Sequence, residues 1–229
     1  PVEPTFRPLR PLTCRQDDGS PTCVIRARIQ SAKHMVCRMK IDHPKLVRLL
    51  RMAYSAEKAA AFAYIGHAGS VRDPDAKIAI KAIEMDEWEH RETVLAIMQQ
   101  YDISISRYNE IKYHIIGKLL SLSCYFIGWF MPYFFAGRLE SGNVCEYFVM
   151  MHYFNSLGIT EHDEALYAMG MKEKEHEMYF QRSVANSRLL PFFERVFGWG
   201  NERGLNDVDL DAPYTVQGSK AYCRHRKHS

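Results

Sequence analysis

The sequence predicts an all-α protein, a four-helix bundle with one or two extra helices. Long segments between residues 44 and 197 repeat their apolar side chains with the 3.6-residue period of an α-helix. Turns containing proline or glycine separate these segments. The pattern Glu-x-x-His occurs twice, each time inside such a segment, so the Glu and the His of each copy share one helix face.

Size and composition narrow the class of protein. A chain of 229 residues can bury one substantial core, and 47% hydrophobic with 25% charged residues is typical of a globular protein. The net charge of +3 is too small to indicate a nucleic-acid partner. Six scattered cysteines without a CxxC pair favour neither a disulfide framework nor a zinc ribbon.

The composition divides the chain into three regions. Residues 1–42 carry five prolines among their first 21 positions, which predicts an irregular arm. Their acidic residues make this arm a poor transit peptide. Residues 43–197 are predicted to form the bundle, and residues 198–229 an extended basic tail.

The first two helices carry candidate ligands. Helix 1 is predicted to begin near Pro44, because proline is favoured in a first helical turn. Its apolar face includes Glu57, a carboxylate that must be protonated, paired or metal-bound if it is buried. Helix 2, predicted at residues 75–101, carries Glu87 and His90 among its apolar positions.

The most apolar segment, residues 107–139, allows three interpretations. From Ile115 to Gly137 its only charge is Lys118, and this length could span a bilayer. Glycine and proline interrupt the segment, which favours a bundle helix whose outer face touches a membrane surface. A wholly buried core helix is the third interpretation.

The last three helices complete the predicted bundle. A turn at residues 140–143 is predicted to precede a helix that starts near Asn143 and carries Glu146. A fifth helix from about Thr160 to Ser187 carries the second Glu-x-x-His copy, and residues 190–197 form a short sixth helix.

Each Glu-x-x-His copy therefore follows a glutamate on a separate helix. Four-helix bundles that hold two iron or manganese ions use this donor set, in which the pattern Glu…Glu-x-x-His occurs twice. The predicted metal ligands are Glu57, Glu87, His90, Glu146, Glu173 and His176. Carboxylates with one imidazole per ion suit iron, with manganese as an alternative, whereas closed zinc sites favour thiolates or more histidines. Glu87 and Glu173 are predicted to bridge the two ions. The alternative is that the six residues are surface charges and core histidines.

The residues around these ligands resemble those of the demethoxyubiquinone hydroxylases, carboxylate-bridged di-iron proteins of the ferritin-like superfamily. The resemblance covers residues 44–197 and includes the Glu-x-Glu-His of residues 173–176. It also includes Arg51, Tyr64 and Gly66 around Glu57, and His152 and Tyr153 six and seven positions after Glu146. Two departures leave the substrate open: Tyr54-Ser55-Ala56-Glu57 replaces the family's usual His-Ala-Gly-Glu, and His67 replaces a usual Gln.

The resemblance implies an O₂-dependent di-iron monooxygenase of ubiquinone biosynthesis, which hydroxylates a quinone-like or other apolar aromatic substrate. It implies an external electron donor, NADH or a reductase. It also implies a cytoplasmic, peripheral membrane protein, on the matrix side of the mitochondrial inner membrane in a eukaryote. The resemblance is also compatible with assembly of the chain into a homo-oligomer.

His152, Tyr153 and Tyr64 are candidates for supporting catalysis, with core packing as the alternative for each. His152 and Tyr153 would link the metal ions to the substrate pocket.

Three other functions remain open at this point. A rubrerythrin-like peroxidase or oxidase shares the ligands, and a tRNA hydroxylase on the same scaffold would use the basic tail. A non-catalytic assembly protein would keep the helical bundle alone.

Overall fold

The computed structural model describes residues 40–199 and confirms the all-α fold class. The described residues form six helices and no strand: α1 Pro44–Ser70, α2 Pro74–Gln100, α3 Arg107–Ser123, α4 Phe130–Ser156, α5 Asp163–Val184 and α6 Leu190–Phe197. Nearly all of the predicted arm and tail lies outside the described residues.

Local capping explains why the first two helices begin where the sequence predicts. The His43 side chain accepts a hydrogen bond from the Leu46 backbone N–H at 3.0 Å, and Asp73 accepts one from Asp75 at 3.2 Å. Each helix also has proline in its first turn, where a missing N–H costs nothing. These signals need no tertiary contact, so the sequence alone reveals them.

Four helices enclose a polar layer between two apolar clusters. α1 packs on α2, α4 packs on α5, and each pair contacts the other. The first apolar cluster includes Leu46, Leu50, Val94, Met98, Phe154 and Leu166, and the second includes Tyr64, Ile80, Phe134, Phe180 and Val184. On α1, α2 and α5 the predicted ligands lie between positions that belong to different clusters, and on α4 Glu140 does so. The apolar clusters therefore cover the polar layer on both sides.

α3 lies against α1 at unusually short range. Gly117 is its one buried residue, and a Cβ added there would lie 2.7 Å from the Ala59 Cα. Because glycine has no side chain, the two backbones can approach this closely.

A half-buried charge cluster also joins α3 to the bundle. Glu110 accepts hydrogen bonds from Lys58 at 2.6 Å, from Arg91 at 2.9 Å and from Ser55 at 2.8 Å. Burial alone would raise the pKa of Glu110, but these donors outweigh it and lower the pKa to about 2. The carboxylate thus links α3 to both α1 and α2.

The predicted turn at residues 140–143 is wrong. α4 runs without a break from Phe130 to Ser156, and the chain turns earlier, at residues 124–129, where Gly128 has φ 78°. Asn143 does not cap a helix: its amide donates to Glu140 Oε2 at 3.0 Å, three positions earlier on the same helix. Similarly, Thr160 is not the capping residue of α5, which begins at Asp163 directly after His162.

The wholly buried interpretation of the apolar segment is wrong for α3. Five large side chains spaced three or four positions apart are exposed, and we call them the α3 apolar face: Tyr108, Ile111, Ile115, Leu119 and Leu122. None of the helices in residues 40–199 has the length and apolar character needed to cross a bilayer.

Candidate metal centre

The structure brings five of the six predicted ligands together in the polar layer, with Glu140 instead of Glu146 as the carboxylate from α4. Two groups of donors form there. The first is Glu57, Glu87, His90 and Glu173, and the second is Glu87, Glu140, Glu173 and His176. Within each group the donor atoms lie within 4.8 Å of one another, so each group can hold a metal ion. Glu87 and Glu173 belong to both groups.

Glu173 faces both histidines with different oxygens. Its Oε1 lies 2.9 Å from His90 Nδ1, and its Oε2 lies 3.6 Å from His176 Nδ1. On the opposite helix, Glu87 Oε1 lies 3.4 Å from His176 Nδ1. The two imidazole centroids are 6.3 Å apart. If each donor group held an ion, Glu173 would contribute to both ions.

The facing atoms of this layer are buried without hydrogen-bond partners among the described residues. They are Glu57 Oε2, both carboxylate oxygens of Glu87 and of Glu173, His90 Nδ1 and His176 Nδ1. Even the 2.9 Å approach of His90 to Glu173 lacks the geometry of a hydrogen bond. Unsatisfied buried polar atoms are rare and costly. A cation among them would satisfy all of them at once, so the donor set fits metal ions.

The carboxylates differ sharply in proton affinity. Burial, followed by the charge of Glu87, raises the pKa of Glu57 well above its usual value. Burial and the neighbouring Glu173 do the same to the pKa of Glu140. Burial would also raise the pKa of Glu173, but the close approach of Glu140, His176 and His90 reverses this effect and lowers it. Without a cation the layer therefore retains protons, which metal ions would displace.

Asp86 orients one of the two histidines. Its Oδ2 lies 2.9 Å from His176 Nε2, which leaves Nδ1 directed at Glu87 and Glu173. Burial alone would lower the pKa of His176, but the hydrogen bond to Asp86 and the nearby carboxylates of Glu173 and Glu87 raise it to about 12. A carboxylate behind a metal-binding imidazole fixes its tautomer and increases its basicity.

Glu57 and Glu140 each belong to a single donor group, and we call them the terminal carboxylates. Each one accepts a hydrogen bond from a buried tyrosine. Tyr64, a predicted site residue, donates a hydrogen bond to Glu140. Tyr147 donates one to Glu57 and was not predicted from the sequence. Tyr147 lies seven positions after Glu140, two turns along the same face of α4. That spacing would have identified it, had the sequence indicated an unbroken α4.

The remaining predicted residues lie elsewhere. Glu146 belongs to neither donor group. Its Oε1 is nevertheless buried and has no hydrogen-bond partner among the described residues. Burial and the charge of Glu173 raise the pKa of Glu146 to about 7. His152 is exposed, and the Tyr153 ring packs 4.7 Å from that of His43, beside the first apolar cluster. The predicted link from these two residues to the metal ions is therefore not formed.

The cause of this error is the choice of glutamate. The resemblance described above expects a histidine six positions and a tyrosine seven positions after the α4 glutamate. Counted from Glu140, these positions hold Glu146 and Tyr147, so only the tyrosine is present.

The comparisons with known proteins identify no relative. No family model matches the chain, and no curated protein or solved structure is significantly similar to it.

Proposed function

We propose that this chain is an O₂-dependent di-iron monooxygenase that hydroxylates a quinone-like or other apolar aromatic substrate. The observation that carries the proposal is the sharing of Glu87 and Glu173 between two adjacent donor groups. Each group then adds one terminal carboxylate and one histidine of its own, as carboxylate-bridged metal pairs in helical bundles do.

The donor types favour iron. Each group offers three carboxylates and one imidazole. Oxygen-rich sets with few histidines suit iron or manganese, whereas closed zinc sites use thiolates or several imidazoles. A pair of ferrous ions held by these residues would supply electrons to O₂, and an external donor such as NADH or a reductase would restore them.

The protein's own residues supply the environment. The two apolar clusters exclude water from the polar layer on both sides. Tyr64 and Tyr147 each hold a hydroxyl proton at a terminal carboxylate, Glu140 and Glu57 respectively. Asp86 holds His176 with its Nδ1 directed inward.

An open cleft favours a hydroxylase over the peroxidase alternative. A rubrerythrin-like peroxidase needs no space for an organic substrate, but a cleft of about 930 Å³, open to solvent, lies at one end of the bundle. The tRNA hydroxylase alternative depends on the basic tail, which lies outside the described residues. A non-catalytic scaffold does not require buried, unpaired carboxylates, which are costly to keep.

The α3 apolar face supports a peripheral membrane location, as expected for an enzyme of apolar substrates. The five side chains of this face are 53–74% exposed and lie along one side of the helix. A helix with such a stripe can lie in the membrane interface without crossing it.

Metal content tests the proposal directly. Purified from iron-replete cells, the protein should contain about two irons per chain by elemental analysis. Glu173→Gln should lose both, since this residue contacts both groups. Glu175→Gln is the matched control, because Glu175 is exposed and pairs with Lys172 at 2.7 Å.

A second assay separates the candidate enzymes. The iron-loaded protein should consume O₂ and hydroxylate a short-chain quinone when a reductant is supplied. Zinc in place of iron, or full iron retention in Glu173→Gln, would refute the metal assignment. Turnover of H₂O₂ without any hydroxylated product would favour the peroxidase.

A further inference from the structure

The open cleft lies where α1 ends and α2 begins, beside the α3–α4 connection and the end of α5. Its volume of about 930 Å³ is in the range of small-molecule sites. Three charged residues line it, Arg72, Asp73 and Asp75. Four further lining residues are aromatic, and we call them the cleft aromatics: Tyr125, Trp129, Tyr133 and Tyr179. The lining therefore combines aromatic rings with an excess of negative charge.

Two of the cleft aromatics expose much of their surface to solvent. Tyr125 is 56% exposed and Trp129 is 61% exposed. Trp129 also contacts Tyr133 edge-to-face at 6.4 Å. A Cβ on Gly69 would collide with the Tyr125 hydroxyl, so the glycine leaves room for this tyrosine against α1. The faces of such rings carry partial negative charge and attract cations.

The carboxylates of the lining add to this attraction. Asp73 and Asp75 are both exposed, and Asp73 Oδ1 accepts a hydrogen bond from the Asp75 backbone N–H at 3.2 Å, which orients that carboxylate. Burial is the main cause that raises the pKa of Tyr133 and of Tyr179, and the charge of Asp73 adds to it. The electrostatic field of Asp73 therefore reaches the rings of the cleft.

The other polar lining residues do not oppose a cation. Burial lowers the pKa of His67 to about 4, so its imidazole carries no charge near pH 7. Ser70 and Ser183 donate their hydroxyl hydrogens to the backbone carbonyls of His67 and Tyr179, at 2.8 and 2.9 Å. These two hydroxyls therefore have no hydrogen left for an anion such as phosphate.

The arrangement of the lining decides which type of cation fits. A metal ion needs several oxygen or nitrogen ligands that converge on it. Within residues 40–199 the two donor groups able to hold an ion both belong to the metal centre, so the cleft offers no such set. A primary ammonium has three N–H donors that need acceptors. A quaternary ammonium has none, so aromatic faces and nearby carboxylates are sufficient to hold it.

We propose that the rim of this cleft binds a quaternary ammonium group, packed on Tyr125 and Trp129 and neutralised by Asp73 and Asp75. The group belongs to a free trimethylammonium compound or to the choline head group of a phospholipid, which share this chemistry. The cleft is larger than one such group, so binding at its rim leaves space for the organic substrate of the proposed function. Binding requires no metal and is independent of that function.

Two probes of equal shape test the positive charge. The alcohol 3,3-dimethylbutan-1-ol has a carbon atom where choline has its nitrogen, so it is uncharged. Calorimetry on the full chain should show choline binding about 10-fold tighter than this alcohol. Trp129→Leu should remove the preference. Tyr108→Leu is the control, since Tyr108 is 74% exposed but lies on α3, outside the cleft lining.

A second pair of variants tests the carboxylates. Asp73→Asn should weaken choline binding about 3-fold, the effect of one exposed charge, and leave binding of the alcohol unchanged. Asparagine caps a helix as well as aspartate does, so α2 should keep its start. Glu92→Gln is the control, since Glu92 is an exposed glutamate of α2 outside the cleft lining.

A measurement on the wild-type protein covers the case in which a variant does not fold. Choline should shift the indole N–H resonance of Trp129 and leave that of Trp88, which is outside the lining, unchanged. Equal affinity for choline and the alcohol, or a preference that persists in Trp129→Leu, would overturn the inference. If the site is confirmed, its displacement by phosphatidylcholine vesicles would identify the lipid head group as the ligand. Choline that stays bound in their presence would identify a free compound.

Discussion

The hydroxyl of Tyr64 on α1 crosses the bundle and donates a hydrogen bond to Glu140 on α4. The reverse contact also exists, since Tyr147 on α4 donates to Glu57 on α1. Each terminal carboxylate of the candidate centre is therefore oriented by a tyrosine from the opposite helix. This reciprocal pairing identifies Glu140, rather than Glu146, as the counterpart of Glu57.

The choice between the two α4 glutamates gives the first prediction. Glu140→Gln should lose at least one iron per chain, because an amide of equal size is a much weaker ligand than a carboxylate. Glu146→Gln should retain both irons, since Glu146 is in neither donor group. Elemental analysis of the two variants purified in parallel decides the question. Iron loss in Glu146→Gln alone would restore the ligand set predicted from the sequence.

Local sequence signals explain which parts of this structure could be predicted. His43 and Asp73 start their helices by contacts within one turn, each followed by a proline. The Glu-x-x-His spacing places Glu87 with His90 on one face without any knowledge of packing. Residues 140–143 gave a false signal, because Glu-Ser-Gly-Asn has the composition of a turn. Inside α4 these polar side chains are tolerated, as Glu140 bonds to Tyr64 and to Asn143. Such long-range pairing is invisible in a single sequence.

The tyrosine pair gives the second prediction. Tyr64→Phe and Tyr147→Phe should each keep their iron and lose about 10- to 100-fold in turnover, the usual effect of removing a group that orients a metal ligand. Iron analysis and the hydroxylation rate with a short-chain quinone measure the two effects separately. His152→Ala is the control, because that side chain is exposed and should leave both quantities unchanged. Loss of iron in either tyrosine variant would show that the hydroxyl is needed for metal binding itself.

The charge cluster around Glu110 gives a pH-dependent prediction. The pKa of this carboxyl falls from 4.5 to about 2 in the folded protein, so the folded state favours its ionised form. The resulting stabilisation is fully present above pH 4.5 and disappears as the pH falls towards 2. Its size is at most about 3 kcal/mol, from 1.36 kcal/mol per pKa unit. Glu110→Gln should therefore lower the free energy of unfolding at pH 7 and change it little near pH 2.

Urea unfolding at several pH values measures this difference. Glu92→Gln serves as the control, since Glu92 is an exposed glutamate on α2. An equal loss of stability at both pH values would show that Glu110 contributes through packing rather than through its charge.

The α3 apolar face gives the last prediction, which concerns location. Ile115 and Leu119 are 53% and 62% exposed and lie one turn apart on a helix that contacts the bundle mainly through α1. Exposing this much apolar surface in one stripe is costly in water, and a membrane interface would cover it. The protein should therefore sediment with neutral phosphatidylcholine vesicles and be released by detergent rather than by salt. The double variant Ile115→Lys/Leu119→Lys should stay in the supernatant, because each lysine would have to enter the apolar layer of the interface.

Ile78→Lys is the matched control. Ile78 is 68% exposed but lies on α2 rather than on the α3 apolar face, so its variant should sediment like the wild-type protein. Equal sedimentation of all three proteins would show that the α3 face does not bind the vesicles. Release by salt alone would show that charges, and not the apolar stripe, hold the protein at the surface.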